Sequence, residues 1–393
     1  MGRKAFRARC PERPACGEFG TAAPILPGSY CPPRRTHSLS SRQPSRLSIH
    51  RIFIMPKSIN LALQGGGSHG AFTWGVLDAF LADPRIDIEG LSGTSAGAMN
   101  AVVVADGLVR GGAEGARQRL RDFWAAIGQS AATSPIRRSP LDVLTGNWSM
   151  DYSPAYQALD ALSRAVSPYQ LNPLNLNPLR DLLETMIDFE RVRQCTAIKL
   201  FVSATNVHTG KIKVFKGSTM TADMVMASAC LPMLYQAVEI DGVPYWDGGY
   251  TGNPALFPFF KGCQSPDIVV VQINPIERLQ TPRTSYEIIN RMNEITFNGS
   301  LLKEYRAISL ITRLIEKGHD LGADYRRIYL HVIENQAVLN PLGASSKLNA
   351  EPAFLQLLHD AGQDAALRWL DEHGDKIGSH STVDLRKMFD SAT

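Results

Sequence analysis

Through the middle of the chain, short apolar runs alternate with longer stretches whose apolar residues recur three and four positions apart. Ile59 to Gln64 predicts a strand, and Ala71 to Leu81 predicts a helix with Phe72, Val76, Leu77 and Phe80 on its apolar side. Ile86 to Leu91 alternates like a second strand, and the small apolar segment Ala96 to Val103 suits a helix packed on a sheet. Further along, Leu179 to Arg193 reads as an amphipathic helix, and Ala237 to Trp246 as a hairpin turning at Asp241-Gly242. Ile268 to Ile273 reads as a buried strand and Arg327 to Ile333 as another. From about residue 285 the pattern is mainly helical, most clearly at Phe354 to Leu370. Strands alternating with helices predict an α/β fold: a mostly parallel central sheet flanked by helices, with a helical C-terminal extension.

One stretch breaks this rhythm. Residues 128–178 are rich in Ser, Pro, Asn and aromatic residues, and predict a long irregular insertion. Its Trp148, Met150, Leu171, Leu174 and Leu176 read either as a lid or acyl-chain wall, or as ordinary surface packing. The expected organisation is therefore a tail over 1–54, a catalytic domain over 55–284 that carries the insertion, and an extension over 285–393.

Charge changes the picture at the N-terminus. Residues 1–54 hold ten Lys and Arg against two Asp and Glu, a net of +8, while the whole chain is only +4, so the rest carries −4. The basic character belongs to the tail, which weakens any argument for nucleic acid or an anionic membrane drawn from the isoelectric point alone, and no nucleic-acid partner is expected. The tail is rich in Pro, Ser and Arg and has no continuous apolar core of the signal-peptide kind, so composition predicts disorder. Met55-Pro56-Lys57-Ser58 leads directly into the first strand and is the favoured start, with an organellar transit peptide as the alternative. Six cysteines are scattered without a C-x-x-C pair, so neither a metal site nor a disulfide framework is indicated. With no run of 18 apolar residues, the expected location is cytoplasmic or peripheral to a membrane.

The candidate chemistry sits at three turns. Gly93-Thr94-Ser95-Ala96-Gly97 is a G-x-S-x-G motif between a strand and a helix, the setting of a nucleophile elbow. A serine hydroxyl needs a base to take its proton. Asp247-Gly248-Gly249 follows an apolar, aromatic strand, where a partly desolvated carboxylate gains basicity. Gly65-Gly66-Gly67-Ser68-His69-Gly70 forms a strand–turn–helix anion cradle. Read literally, Gly65-x-Gly67-x-x-Gly70 with Glu89 downstream is also a dinucleotide fingerprint. An oxyanion hole for Ser95 accounts for both Gly-rich turns, whereas the fingerprint accounts for one.

These motifs, in this order, resemble the patatin-like phospholipase family. Ser203-Ala204-Thr205-Asn206 with Gly210, and Ala227-Ser228-Ala229-Cys230-Leu231-Pro232, add landmarks of the same kind, so the likeness covers roughly residues 57 to 255. It implies a three-layer fold and a dyad in which Ser95 attacks an ester carbonyl and Asp247 takes its proton. It also implies an oxyanion hole at Gly65, Gly66 and Gly67, chiefly the N–H groups of Gly66 and Gly67, with Ala96 as a further donor. Gly70, Gly93, Gly97, Gly248 and Gly249 are its motif glycines. Such proteins are lipid acyl hydrolases of the phospholipase A or lysophospholipase type, or acyltransferases, and need no cofactor or metal. The substrate partner implied is a phospholipid or another acyl-ester lipid, with peripheral membrane contact; the oligomeric state stays open. In one departure, Ser68-His69 stands where the family usually carries Lys or Arg, which makes His69 a candidate contact for a lipid head group.

Other readings remain at this point. A Ser-His-Asp triad would draw on His319, His331, His359, His373 or His380. Acyl transfer would use the same dyad, and a catalytically silent lipid-binding scaffold would use neither residue.

Overall fold

In the computed structural model, residues 55–132, 134–322 and 325–390 are described. The basic tail lies outside them.

Eight strands form one sheet: β1 (Lys57–Leu63), β2 (Ile86–Gly93), β3 (Lys199–Asn206), β4 (Ile212–Lys216), β5 (Val238–Ile240), β6 (Val243–Asp247), β7 (Asp267–Val271) and β8 (Tyr329–Ile333). The order is β5-β6-β3-β2-β1-β7-β8, with β4 on the remaining side of β3. The pairings among β3, β2, β1, β7 and β8 are parallel, and those of β4, β5 and β6 are antiparallel. The helices are α1 (Gly70–Ala82), α2 (Ala96–Ala131), α3 (Pro140–Leu144), α4 (Pro154–Ala165), α5 (Pro168–Leu171), α6 (Pro178–Met186) and α7 (Phe189–Gln194), then α8 (Ala222–Ser228), α9 (Phe257–Gly262), α10 (Ser285–Glu316), α11 (Gln336–Leu339), α12 (Pro352–His373) and α13 (Leu385–Asp390).

Strand alternation sorts the core into two layers of side chains. Leu61, Leu63, Val269 and Val271 face one side, where they meet Phe72 and Phe80 of α1, Val102 of α2 and Phe354 of α12. Ala62, Ile268 and Val270 face the other, against Phe259 of α9 and Leu301, Tyr305 and Ile308 of α10. The result is an α/β sheet flanked on both faces by helices. No helix among the described residues is long and apolar enough to cross a membrane.

The structure corrects three expectations. The 128–178 insertion is not irregular: α3, α4 and α5 occupy much of it, each started by a serine before a proline, at Ser139, Ser153 and Ser167. The predicted helix Leu179–Arg193 is two helices, because Asp188 caps a new start by accepting from the N–H groups of Glu190 and Arg191. Finally, β8 lies after residue 284 yet pairs with β7, so a boundary at 284/285 cuts through the sheet.

Candidate active site

β3 acts as a ruler for the site. β2 pairs with its first half, ending at Gly93↔Val202. β6 takes over the same edge two residues further on, at Asp247↔Ala204. β4 occupies the opposite edge from Phe201 to Thr205. The end of β6 is thereby brought beside the turn that follows β2. Thr205 fastens it there, its hydroxyl donating to the Asp247 carbonyl at 2.8 Å.

In that turn Ser95 takes φ +54 and ψ −121, a conformation unfavourable for a non-glycine residue and typical of a nucleophile elbow. Surrounding bonds hold it. The Ser95 N–H donates to Ser228 Oγ at 2.9 Å, and Thr94 Oγ donates to the Gly252 carbonyl at 2.7 Å. Gly97 has to be glycine, since a Cβ there would lie 2.3 Å from the Leu63 carbonyl oxygen. Gly93 ends β2 against the same first turn of α2.

The Ser95 hydroxyl lies near enough to the Asp247 carboxyl to draw its pKa down. Asp247 is 1 % exposed, and Gly249 N–H donates to its Oδ1 at 2.7 Å from the short turn begun by Gly248. Burial pushes its pKa up to about 7, outweighing the opposing effects of Gly249 N–H, the Ser95 hydroxyl and the charge of Lys347.

The glycine run lies alongside. Gly65 corrects the expectation that it serves as an oxyanion donor: its N–H is already given to Asn253 Oδ1 at 2.7 Å. Its carbonyl accepts from Asn274 Nδ2, also at 2.7 Å, so the peptide is pinned on both sides. The N–H groups of Gly66, Gly67 and Ala96 make no hydrogen bond to any of the described residues. Gly70 opens α1 against the Ala96 methyl.

His69 is not placed as a charged contact for a head group. It is 2 % exposed, and burial, then the charges of Lys347 and Arg278, lower its pKa to about 3, so it is neutral. Its Nε2 is 2.8 Å from Ser346 Oγ, and its ring meets Phe354 edge-on. Of the five histidines of a possible triad, four are engaged elsewhere and His319 is exposed. His331 lies between Asp267 and Thr382, His359 beside Asp78 and Asp360, His373 beside Lys376, and His380 beside Ser379. The dinucleotide reading loses its acid: the Glu89 carboxylate takes Lys199 and the N–H groups of Gln264 and Ser265. Among the described residues, no cluster of three or more His, Cys, Asp or Glu is placed to hold a metal ion.

The insertion divides in two. Met150 is fully buried, its N–H donating to Ser345 Oγ, and Trp148 stacks on Phe354, so these two are packing residues and form no lid. Leu171, Leu174 and Leu176 are exposed. Tyr169 and Asn172 dock this part on the segment before β5, through bonds to Ala237 and Gln236. Sequence reasoning missed Asn253 and Asn274, could give the polar Ser345-Ser346-Lys347 no chemistry and gave Ser228 only as part of a landmark, because nothing in their local pattern marks them as neighbours of the glycine run or the elbow.

A family model described as patatin-like phospholipase matches residues 61–260. Among solved structures, the chain is similar to VipD from Legionella pneumophila, at 17% identity and a TM-score of 0.37 over 81% of this chain and 67% of that one. It is also similar to a chain of the ExoU–SpcU complex from the type III secretion system of Pseudomonas aeruginosa, at 13% identity and a TM-score of 0.28 over 79% of this chain. The match spans about half of that second chain, 52%. No curated protein matched.

Proposed function

The chain belongs to the patatin-like phospholipase family, and from that premise we propose that it hydrolyses carboxylic esters of lipids, as a phospholipase A or lysophospholipase, through Ser95 and Asp247. The observation that carries this is a buried carboxyl, its pKa at about 7 and within the influence of the Ser95 hydroxyl, beside a serine held in the strained elbow conformation. A carboxyl tuned close to neutral pH exchanges a proton with a serine far better than an ordinary aspartate does.

In this mechanism Ser95 Oγ bonds to the ester carbonyl carbon while its proton passes to the Asp247 carboxylate. The oxyanion is met by the N–H groups of Gly66, Gly67 and Ala96, which no other described residue occupies. Asp247 returns the proton to the departing alcohol, leaving an acyl group on Ser95. A water then attacks that acyl carbon, giving its proton to Asp247, and the fatty acid leaves as Ser95 regains its hydrogen. The exposed side chains of the insertion, Leu141, Leu144, Leu174 and Leu176, are the surface assigned to contact with lipid.

The test is hydrolysis of short-chain nitrophenyl esters and of mixed phospholipid vesicles by the full chain, beside Ser95→Ala and Asp247→Asn. Both variants are expected to lose about a hundredfold or more. Undiminished turnover by Ser95→Ala would remove the dyad.

A further inference from the structure

Lys347 belongs to a turn, Ser345–Leu348, that follows the sheet by many residues and packs against the short turn Gly67–His69. The contact is close: a Cβ on Gly67, whose φ is +57, would lie 2.3 Å from the Lys347 carbonyl oxygen. Ser346 Oγ reaches His69 Nε2 in the same contact. The Lys347 residue as a whole is only part-buried, but its ammonium end is enclosed by the protein. There Nζ donates to Asn274 Oδ1 at 2.7 Å. Asn274 in turn donates to the Gly65 carbonyl and to Gln64 Oε1. The ammonium also stands 6.0 Å from the centre of the Phe297 ring. That ring packs on Gly249, so closely that a Cβ there would lie 1.8 Å from it, and Gly249 holds the Asp247 carboxyl. One side chain thus borders the anion cradle on one hand and the base on the other.

We propose that Lys347 is the resident cation and positioning residue of this site, acting across space on the Ser95–Asp247 pair and, through Asn274, on the peptide at Gly65. This rests on the dyad reading above. The need for it is electrostatic. The reaction develops negative charge beside the glycine run while Asp247 must be a carboxylate to begin. His69, at the end of that run, is neutral. Lys347 is the cation whose field reaches Asp247 and draws its pKa down against the dominant effect of burial.

Other charges surround the pair. Lys347 faces Glu294 of α10, Arg278 of the segment after β7 and Asp247 of β6. Burial lowers its own pKa most, Glu294 and Asp247 oppose that, and Arg278 adds to it. Glu294 is shared with Arg278 and Arg291 at 2.6 and 3.0 Å, so it is not wholly committed to Lys347. Around Asp247, Cys230 and Tyr250 are the other titratable groups, both pushed up chiefly by burial and further by the aspartate's charge.

The experiment uses the full chain with Lys347→Met and Lys347→Arg. Carboxyl-carbon NMR follows Asp247, assigned by its loss in Asp247→Asn, and nitrophenyl-ester hydrolysis is followed against pH. In Lys347→Met the Asp247 midpoint and the acid limb of the rate are both expected to move to higher pH by about one unit, while Lys347→Arg keeps them in place. An unmoved midpoint in Lys347→Met, or an equal movement in Lys347→Arg, overturns the proposal, since a merely structural role depends on shape and not on charge. If Lys347→Met does not fold, ammonium-nitrogen NMR of the unaltered chain decides: a neutral Lys347 amine at pH 7 overturns the proposal and an ammonium supports it. The two readings fail separately. A shifted midpoint without any esterase activity retires the hydrolase and keeps the cation; activity with an unmoved limb does the reverse.

Discussion

Asp78 on α1 and Asp247 at the end of β6 are about equally withdrawn from solvent, at 5 % and 1 % exposure, yet their acidities move apart. For both, burial is the largest influence and acts to raise the pKa. At Asp78 it is overcome by His359 and by Arg117, whose Nε lies 2.8 Å from the carboxylate, and the pKa falls to about 2. Gln363 adds a further donor at 3.0 Å. At Asp247 the bonded backbone N–H of Gly249 and the nearby Ser95 hydroxyl, neither of them charged, oppose burial only weakly, and the pKa rises to about 7. The difference teaches what makes a buried carboxylate a base. Enclosure supplies the basicity, and a histidine and a guanidinium beside the carboxylate cancel it. Asp78 ties α1 to α2 and α12; Asp247 is kept free of such a partner, with the proposed cation Lys347 acting at a remove.

The largest expected effect breaks the Asp247 side of this comparison. Its pKa is raised, so the folded protein holds a proton that the unfolded chain releases above about 4. Stability linked to Asp247 is therefore fully present below that pH and is lost as pH rises through about 7. Asp247→Asn removes the titration. Above pH 8 the variant is expected to be more stable than the native protein, by at most about 4 kcal/mol, the equivalent of the distance from 3.8 to about 7. Near pH 4 the two should coincide. Urea unfolding at both pH values checks this, and equal stabilities at pH 8 would mean that water reaches the carboxylate.

The smaller, opposite effect belongs to Asp78. Its pKa is depressed, so its contribution is present above about pH 4 and lost as pH falls through about 2. Asp78→Asn is expected to cost about 2 kcal/mol at pH 7, since Arg117 loses its buried partner. The acid limb of ester hydrolysis should stay where it is. A limb that moved with Asp78→Asn would show that the two regions are electrically coupled.

Much of this contrast was legible in the chain, and the rest was hidden for a physical reason. The strand–turn–helix units around Gly65–Gly67 and Ser95 are local, because glycine spacing and apolar period determine them within about ten residues. The hairpin leading to Asp247 is local too. What remained hidden is what assembles across the fold. Nothing near Ser345-Ser346-Lys347 signals that this turn will lie against Gly67, more than two hundred residues earlier. Nothing near Asn253 signals that it will take the N–H of Gly65 and withdraw that donor from the proposed oxyanion hole. His69 could be read as a cation from its type alone, and only enclosure beside Lys347 and Arg278 makes it neutral. The break at Asp188 was missed because one amphipathic period runs through both α6 and α7, while the cap that separates them is a single side chain.

The smallest effect sharpens the Asp78 side by asking how much of its clasp is charge. His359 stands between Asp78, with Nε2 at 3.9 Å, and Asp360, with Nδ1 at 2.9 Å. Burial works to lower its pKa, but hydrogen bonds to the two carboxylates outweigh this and raise it. A raised histidine contributes stability that is complete below about pH 6.5 and is lost as pH climbs through the folded value. His359→Gln keeps a donor while removing the charge, and is expected to cost about 1 kcal/mol at pH 6 and less at pH 9. The same ring lies 4.1 Å from Trp74, so packing is the competing explanation. A loss that is equal at both pH values would assign His359 to packing and leave Arg117 as the group that holds Asp78 ionised.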